Sequence, residues 1–206
     1  MQDIEKWINE YIKNINLEKI EWIQLNSVEL NEFIEKNYLD RKLWEYVHDK
    51  NENSIYKKLL GMCYLNFSSP KNAKKYNFLL GIVNNNIDKK TIVCSIIYLD
   101  EYFMFTNQKE PVTYISTIEV NSYFRNQGIY KRMCDILFDF INKNQHIIIS
   151  KQSELGKKCK VYDILIETAI KKEFDKYIFE ANDDLSNSEI YDILCLKQKT
   201  LRHKKT

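Results

Sequence analysis

The chain has 206 residues, enough for one sizeable core and short for two. Its 44% hydrophobic and 29% charged residues are globular values and exclude a disordered or fibrous chain. The net charge of +2 arises from 31 basic and 29 acidic side chains, a balance that gives no electrostatic case for nucleic acid as a partner.

The longest apolar runs, such as residues 92–99, fall far short of a membrane span, so no membrane partner is expected. Residues 1–15 interleave Asp3, Glu5, Lys6 and Glu10 with apolar positions and so contain no secretory core. The chain reads as soluble and cytoplasmic. Cys63, Cys94, Cys134, Cys159 and Cys195 are odd in number, scattered and without a C-x-x-C pair, as expected of thiols in a reducing compartment. His48, His146 and His203 are too far apart in sequence to form a local metal-ligand spacing, and no metal is expected. The basic run from Lys197 to Lys205 reads as a solvated, frayed tail.

Taken in chain order, Ile4, Trp7, Ile8, Tyr11, Ile12 and Ile15 form one helical stripe behind a cap at Asp3. A short strand is expected over residues 21–25, then a helix capped by Ser27 with Leu30, Phe33 and Ile34 inward. Leu43, Tyr46 and Val47 predict a third helix. After Pro70 the character changes: residues 78–83 and 91–99 are β-branched, apolar runs joined by Asn84-Asn85-Asn86-Ile87-Asp88, the pattern of a hairpin. Residues 113–120 form a third strand. Ile129 opens a helix with Met133, Ile136, Leu137, Phe140 and Ile141 on its apolar face. A short buried strand follows at 146–150. Next come a helix facing inward through Val161, Ile164, Leu165, Thr168 and Ala169, and a strand near 177–179. The crossover rule sets 147–150 parallel to 113–120. The whole is one mixed α/β domain spanning 1–206, with residues 1–16 as a helical appendage and 183–206 as a C-terminal tail.

With only four glycines and two prolines, each one carries information. Gly128 falls between a strand and a helix, in Ile118-Glu119-Val120-Asn121-Ser122-Tyr123-Phe124-Arg125-Asn126-Gln127-Gly128-Ile129-Tyr130. A helix N-terminus exposes unpaired amides and the positive end of the helix dipole. Consecutive amides from Arg125 to Tyr130 can therefore wrap a pyrophosphate without a metal. Gly128 allows close approach, and Arg125 adds charge. The dispersed glycines exclude G-x-G-x-x-G, and there is no G-x-x-x-x-G-K-[ST], G-x-S-x-G or H-E-x-x-H.

This segment resembles the acyl-CoA signature R/Q-x-x-G-x-G/A of the GNAT superfamily of N-acyltransferases, through Arg125, Gly128, the preceding Val120 and the aromatic Phe124. The element order over residues 20–180 is similar to that of the superfamily. The resemblance implies a GNAT-like mixed, mostly antiparallel central sheet flanked by helices, with an N-terminal helical extension. It also implies acetyl-CoA as the donor, no metal, a small-molecule or peptide amine as acceptor, and direct attack in a ternary complex; a homodimer is a habit of the superfamily. Tyr130 departs from the pattern, standing where Gly or Ala is commonest, so its side chain must turn from the phosphates or shape the pantetheine groove. Ser122 replaces a frequent proline. Of the later pattern N-x-x-A-x-x-x-Y only Tyr162 matches.

Acetyl transfer needs a base for the amine, donors for the oxyanion and a proton for the departing thiolate. The resemblance places the donors among the backbone amides around Ile118–Val120. The base is either Glu119 directly or a water held by Ser116 or Tyr114, and alternation sets Glu119 on the face opposite Tyr114, Ser116, Ile118 and Val120. Glu119 on a solvated sheet face is the bland alternative. Tyr162, a phenol that stays protonated at neutral pH, suits the acid role. Ser153 is a candidate contact to the CoA arm. A non-catalytic acyl-CoA-binding module is the second reading.

Overall fold

A computed structural model describes residues 10, 13–37, 59, 76–84, 90–105, 108–141, 146–150, 161–180 and 190–196. Most of the helix expected over 1–16, and the helix expected near 43–47, lie outside the described residues.

The chain falls into two compact units: residues 1–97 with 118–129, and residues 98–117 with 130–206. In the first, strand β1 (Glu21–Asn26) pairs antiparallel with β2 (Tyr76–Asn84), with Trp22 opposite Gly81 and Leu25 opposite Phe78. The order continues to β3 (Lys90–Phe105) and β4 (Gln108–Val120), two strands that also contribute residues to the second unit. Residues 78–83 and 91–97 are buried without interruption. Such runs, with no exposed alternate, mark strands covered on both faces.

Helix α1 (Ser27–Lys36) packs against β1 and β2 through buried Leu30 and Ile34, while Phe33 is only half-buried. Its cap is Asn26, not Ser27. The Asn26 Oδ1 accepts from the amides of Val28 and Glu29 at 2.9 and 3.0 Å, and Glu29 Oε2 accepts from the Asn26 amide at 2.8 Å. This reciprocal box requires a carboxylate three residues after the cap; a cap at Ser27 would put Leu30 there, which cannot accept. At the other end Asn37 donates through Nδ2 to the Phe33 carbonyl at 2.8 Å, and its Oδ1 accepts from the Lys90 amide at 3.0 Å. One asparagine thus ends the helix and fixes the start of β3.

In the second unit the order is β3-β4-β5-β7-β6, where β5 is His146–Ser150, β6 is Phe174–Glu180 and β7 is Ile190–Leu196. β5 runs parallel to β4, Ile147 opposite Thr113 and Ile149 opposite Ile115, as the crossover rule requires. β7 is antiparallel to both β5 and β6, with Ile193 opposite Ile148 on one side and Tyr177 on the other. Residues 190–196, read from sequence as part of a tail, are therefore a central strand; the polar stretch of 182–189 before them hides that role. Three of the four described registers are antiparallel, and the fold is α/β with a mixed, mostly antiparallel sheet and flanking helices. β3 runs on past its predicted end at residue 99, through Asp100 and Glu101, and β4 begins before its predicted start at 113. Asp100 is accommodated by accepting from Thr113 Oγ1 at 3.1 Å.

Helix α2 (Ile129–Phe140) buries Ile129, Met133, Cys134, Leu137 and Phe138, followed by Ile141. Phe140, expected inward, is 41% exposed. The buried stripe advances in steps of four, Ile129-Met133-Leu137-Ile141, which leaves Phe140 on its outer edge and turns Phe138 in. The Phe138 ring meets Phe174 at 5.3 Å and 47°, within the range of tilted aromatic pairs. Helix α3 (Val161–Lys171) buries Leu165, Thr168 and Ala169. Lys172 beyond it bridges to Asp139 at 2.8 Å.

Candidate functional site

The end of β4 leads into the signature turn, and one buried residue sets it up. Asn121 is 2% exposed. Its amide donates to the Val93 carbonyl at 2.8 Å and its Nδ2 to the Ile92 carbonyl at 3.2 Å. Its Oδ1 caps a short 3-10 turn at Ser122–Phe124, accepting from the Tyr123 amide at 3.3 Å. Phe124 is buried, as is Ile129. Between these two anchors Arg125, Asn126, Gln127 and Gly128 are all exposed.

Gly128 has φ +73°, and a Cβ there would have nothing within 4 Å. The glycine is needed for its backbone angle and leaves open space above the main chain. Asn126 also has positive φ, 63°, a conformation that asparagine tolerates better than most residues. Among the described residues the amides of 126–130 make no hydrogen bond outside the helix itself, and residues 129 and 130 begin α2, where intrahelical partners do not exist. The turn therefore presents orphan donors at the positive end of a 12-residue helix.

Arg125 does not simply add charge to the turn. Its Nε donates to the Val120 carbonyl at 3.2 Å, and an Nη lies 4.0 Å from Glu119 Oε1. Glu119 itself is 9% exposed, so the solvated-face reading is corrected: the carboxylate is buried and has a cation beside it. Ile118 and Val120 are half-buried. The first unit thus holds Ile118, Glu119, Val120, Arg125, Asn126, Gln127, Gly128 and Ile129 of the predicted site.

Ser116, Tyr114 and Tyr130 belong to the second unit and are half-buried. The Tyr130 phenol interacts with the Cys134 thiol, one turn further along α2. Burial raises the pKa of the Tyr130 phenol far above its usual value, with the charge and hydrogen bond of Cys134 adding to the shift. Burial likewise pushes the Cys134 thiol up to about 12, the Tyr130 hydrogen bond opposing and nearby Asp135 adding. Such a thiol is no nucleophile. Tyr162 falls in the first turn of α3, but its side chain, like the whole of Ser153, lies outside the described residues. Asn121, by contrast, lies at the root of the turn, and the sequence reading found no role for it. Its signal is an N-cap type at a strand end, two residues before the amide that it accepts from.

Among the described residues no helix is long and apolar enough to cross a membrane. No family model matches the chain, and no curated protein matches it. Solved structures to which it is similar include the NatC complex bound to Gag peptide and CoA, at 15% identity and TM-score 0.43, covering 86% of this chain and 98% of that one. Another is a histone acetyltransferase HPA2 and related acetyltransferase from Corynebacterium glutamicum, at 10% identity and TM-score 0.42, covering 86% and 96%. A third is a possible acetyltransferase from Clostridium difficile, at 13% identity and TM-score 0.43, covering 82% and 95%.

Proposed function

We propose that this chain is an acetyl-CoA-dependent N-acyltransferase in which an acceptor amine attacks the acetyl carbonyl directly. The observation that carries the reading is the turn at 125–129. It is exposed, it is shaped by positive φ at Asn126 and Gly128, it is open above Gly128, and its amides are without partners among the described residues. That is the requirement for a backbone pyrophosphate cradle.

In the reaction a base takes the proton of the attacking amine, amides beside Ile118–Val120 stabilise the tetrahedral oxyanion, and the C–S bond then breaks with protonation of the thiolate. Glu119 is the base we favour, because it is a buried carboxylate next to the signature turn; a water held by Ser116 or Tyr114 is the alternative. The GNAT resemblance assigns Tyr162 as the acid and Ser153 to the CoA arm, and it gives a small molecule or a peptide as the amine, with a homodimer as the superfamily's habit.

Titration of the full chain with acetyl-CoA by calorimetry, followed by a panel of amines with detection of released thiol, tests this. Micromolar-scale binding together with thiol release supports the enzyme. Binding with no turnover across a broad panel identifies a non-catalytic acyl-CoA-binding module, and no binding at millimolar ligand removes both.

A further inference from the structure

Asn121 makes four hydrogen bonds at the root of the signature turn. Besides the two to β3 and the one from the Tyr123 amide, its carbonyl accepts from the Phe124 amide at 2.8 Å. We propose that Asn121 is a positioning residue for acyl-CoA: it locks the root of the turn to two consecutive carbonyls of β3, and this sets the affinity for the donor. The inference rests on the acyl-CoA reading above.

The side chain is suited to this place in a way that few others are. A carbonyl oxygen, that of Ile92, needs a donor on one side, and an N–H, that of Tyr123, needs an acceptor on the other. An amide with its nitrogen toward β3 satisfies both; the flipped amide would set oxygen against oxygen. At 2% exposure water does not replace the side chain, so loss of the donor removes a buried bond between the root of the turn and β3. Residues 125–128 are exposed, and beyond the Arg125 bond to the Val120 carbonyl they bury no side chain. Their position is inherited from what lies beneath them, namely Phe124, Ile129 and the Asn121 clamp. A cradle built from main-chain donors works only when those donors are held in place beforehand, so a loosened root lowers affinity without altering any group that touches phosphate.

The test uses Asn121→Asp in the full chain. Ionised, this carboxylate still accepts from Tyr123 but opposes the Ile92 carbonyl. Protonated, it donates to that carbonyl as the amide does, and burial favours the protonated form. Acetyl-CoA affinity is measured by calorimetry for wild type and variant at two pH values, with circular dichroism reporting the fold. The titratable neighbours are Glu119, Tyr123 and Arg125 on its own segment and Lys90 and Cys94 on β3. All are shared with wild type, so each value is referred to wild type at the same pH. The expected result is a loss of about tenfold at about pH 8, the scale of one buried hydrogen bond, shrinking to within about threefold at about pH 5.5.

Asn121→Ser, too short to reach both partners, loses a similar factor at both pH values and carries the test if the aspartate variant does not fold. Wild-type affinity in a folded variant at the higher pH, with only a lowered melting temperature, overturns the proposal. So does a loss in Asn121→Asp that acid fails to reverse. Absence of acetyl-CoA binding by wild type removes the acyl-CoA reading itself and this inference with it, and that outcome is distinct from the other two.

Discussion

Arg125 turns its guanidinium back along the chain, to within 4.0 Å of the Glu119 carboxylate and 3.2 Å of the Val120 carbonyl. The side chain that the signature names is thus used at the strand end, while the amides of its turn stay open. Charge and cradle are separable.

That separation gives the first prediction. Gly128→Val places a branched side chain in the open space over the main chain and on a backbone with φ +73°, which β-branched residues resist. The protein stays folded, since nothing lies within 4 Å of the new Cβ, and acetyl-CoA binding is lost. Arg125→Ala keeps every amide and weakens binding by no more than about tenfold, as expected for one half-solvated charge. Calorimetry on both variants checks this, and wild-type affinity in Gly128→Val would rule out the phosphate turn.

A second prediction concerns Cys134. Its thiol is buried and held up to about 12, so the folded protein keeps it neutral where an unfolded thiol, near about 8.5, ionises. The sign follows: this term has no effect below the unfolded value, and stability falls as pH rises from there toward the folded value. At mildly alkaline pH, iodoacetamide should leave Cys134 unmodified in the native protein and label it in denaturant. Rapid native labelling, read by peptide mass, would mean that the site opens.

Gly81 gives a third. It faces Trp22 across β1 and β2, and a Cβ there would sit 2.5 Å from Cys94 Sγ and 3.1 Å from both Ile20 and Trp22. Cys94 is fully buried and has no slack. Gly81→Ala is expected to destabilise by about 1–3 kcal/mol, the scale of overpacking. Removing the sulfur in Gly81→Ala with Cys94→Ala should recover part of it, a coupling that a double-mutant cycle in denaturant measures.

Why some of this was legible and some not follows from particular residues. The runs at 78–83 and 91–99 read as strands because they are short, apolar and, in the second, mostly β-branched, and the step-of-four stripe in α2 is a strong periodic signal. The turn stood out because glycine is scarce. The misreadings have a common cause: this chain marks its junctions with asparagine instead of glycine or proline. Asn16, Asn26 and Asn121 each cap a following amide, and Asn37 closes a helix and holds β3. One asparagine resembles another in sequence, and only the partner across the chain tells a cap from a surface residue. β7 was missed for a different reason: it pairs on one side with β5, some forty residues earlier, and that pairing is tertiary information.

The fourth prediction separates the two ends of the proposed reaction. The acid acts only when negative charge develops on the departing sulfur. Tyr162→Phe should therefore lower turnover by something like ~10²-fold, the usual scale for a positioned acid, with acetyl-CoA affinity nearly unchanged. Glu119→Gln removes a base and should also lower turnover at constant affinity, but its signature is different. Restoring a carboxylate in Glu119→Asp should recover part of the turnover that Glu119→Gln loses. If Glu119→Gln retains turnover and Ser116→Ala loses it instead, the water held at Ser116 is the base. If Tyr162→Phe changes only KM for the amine, Tyr162 belongs to the acceptor wall, and solvent protonates the thiolate.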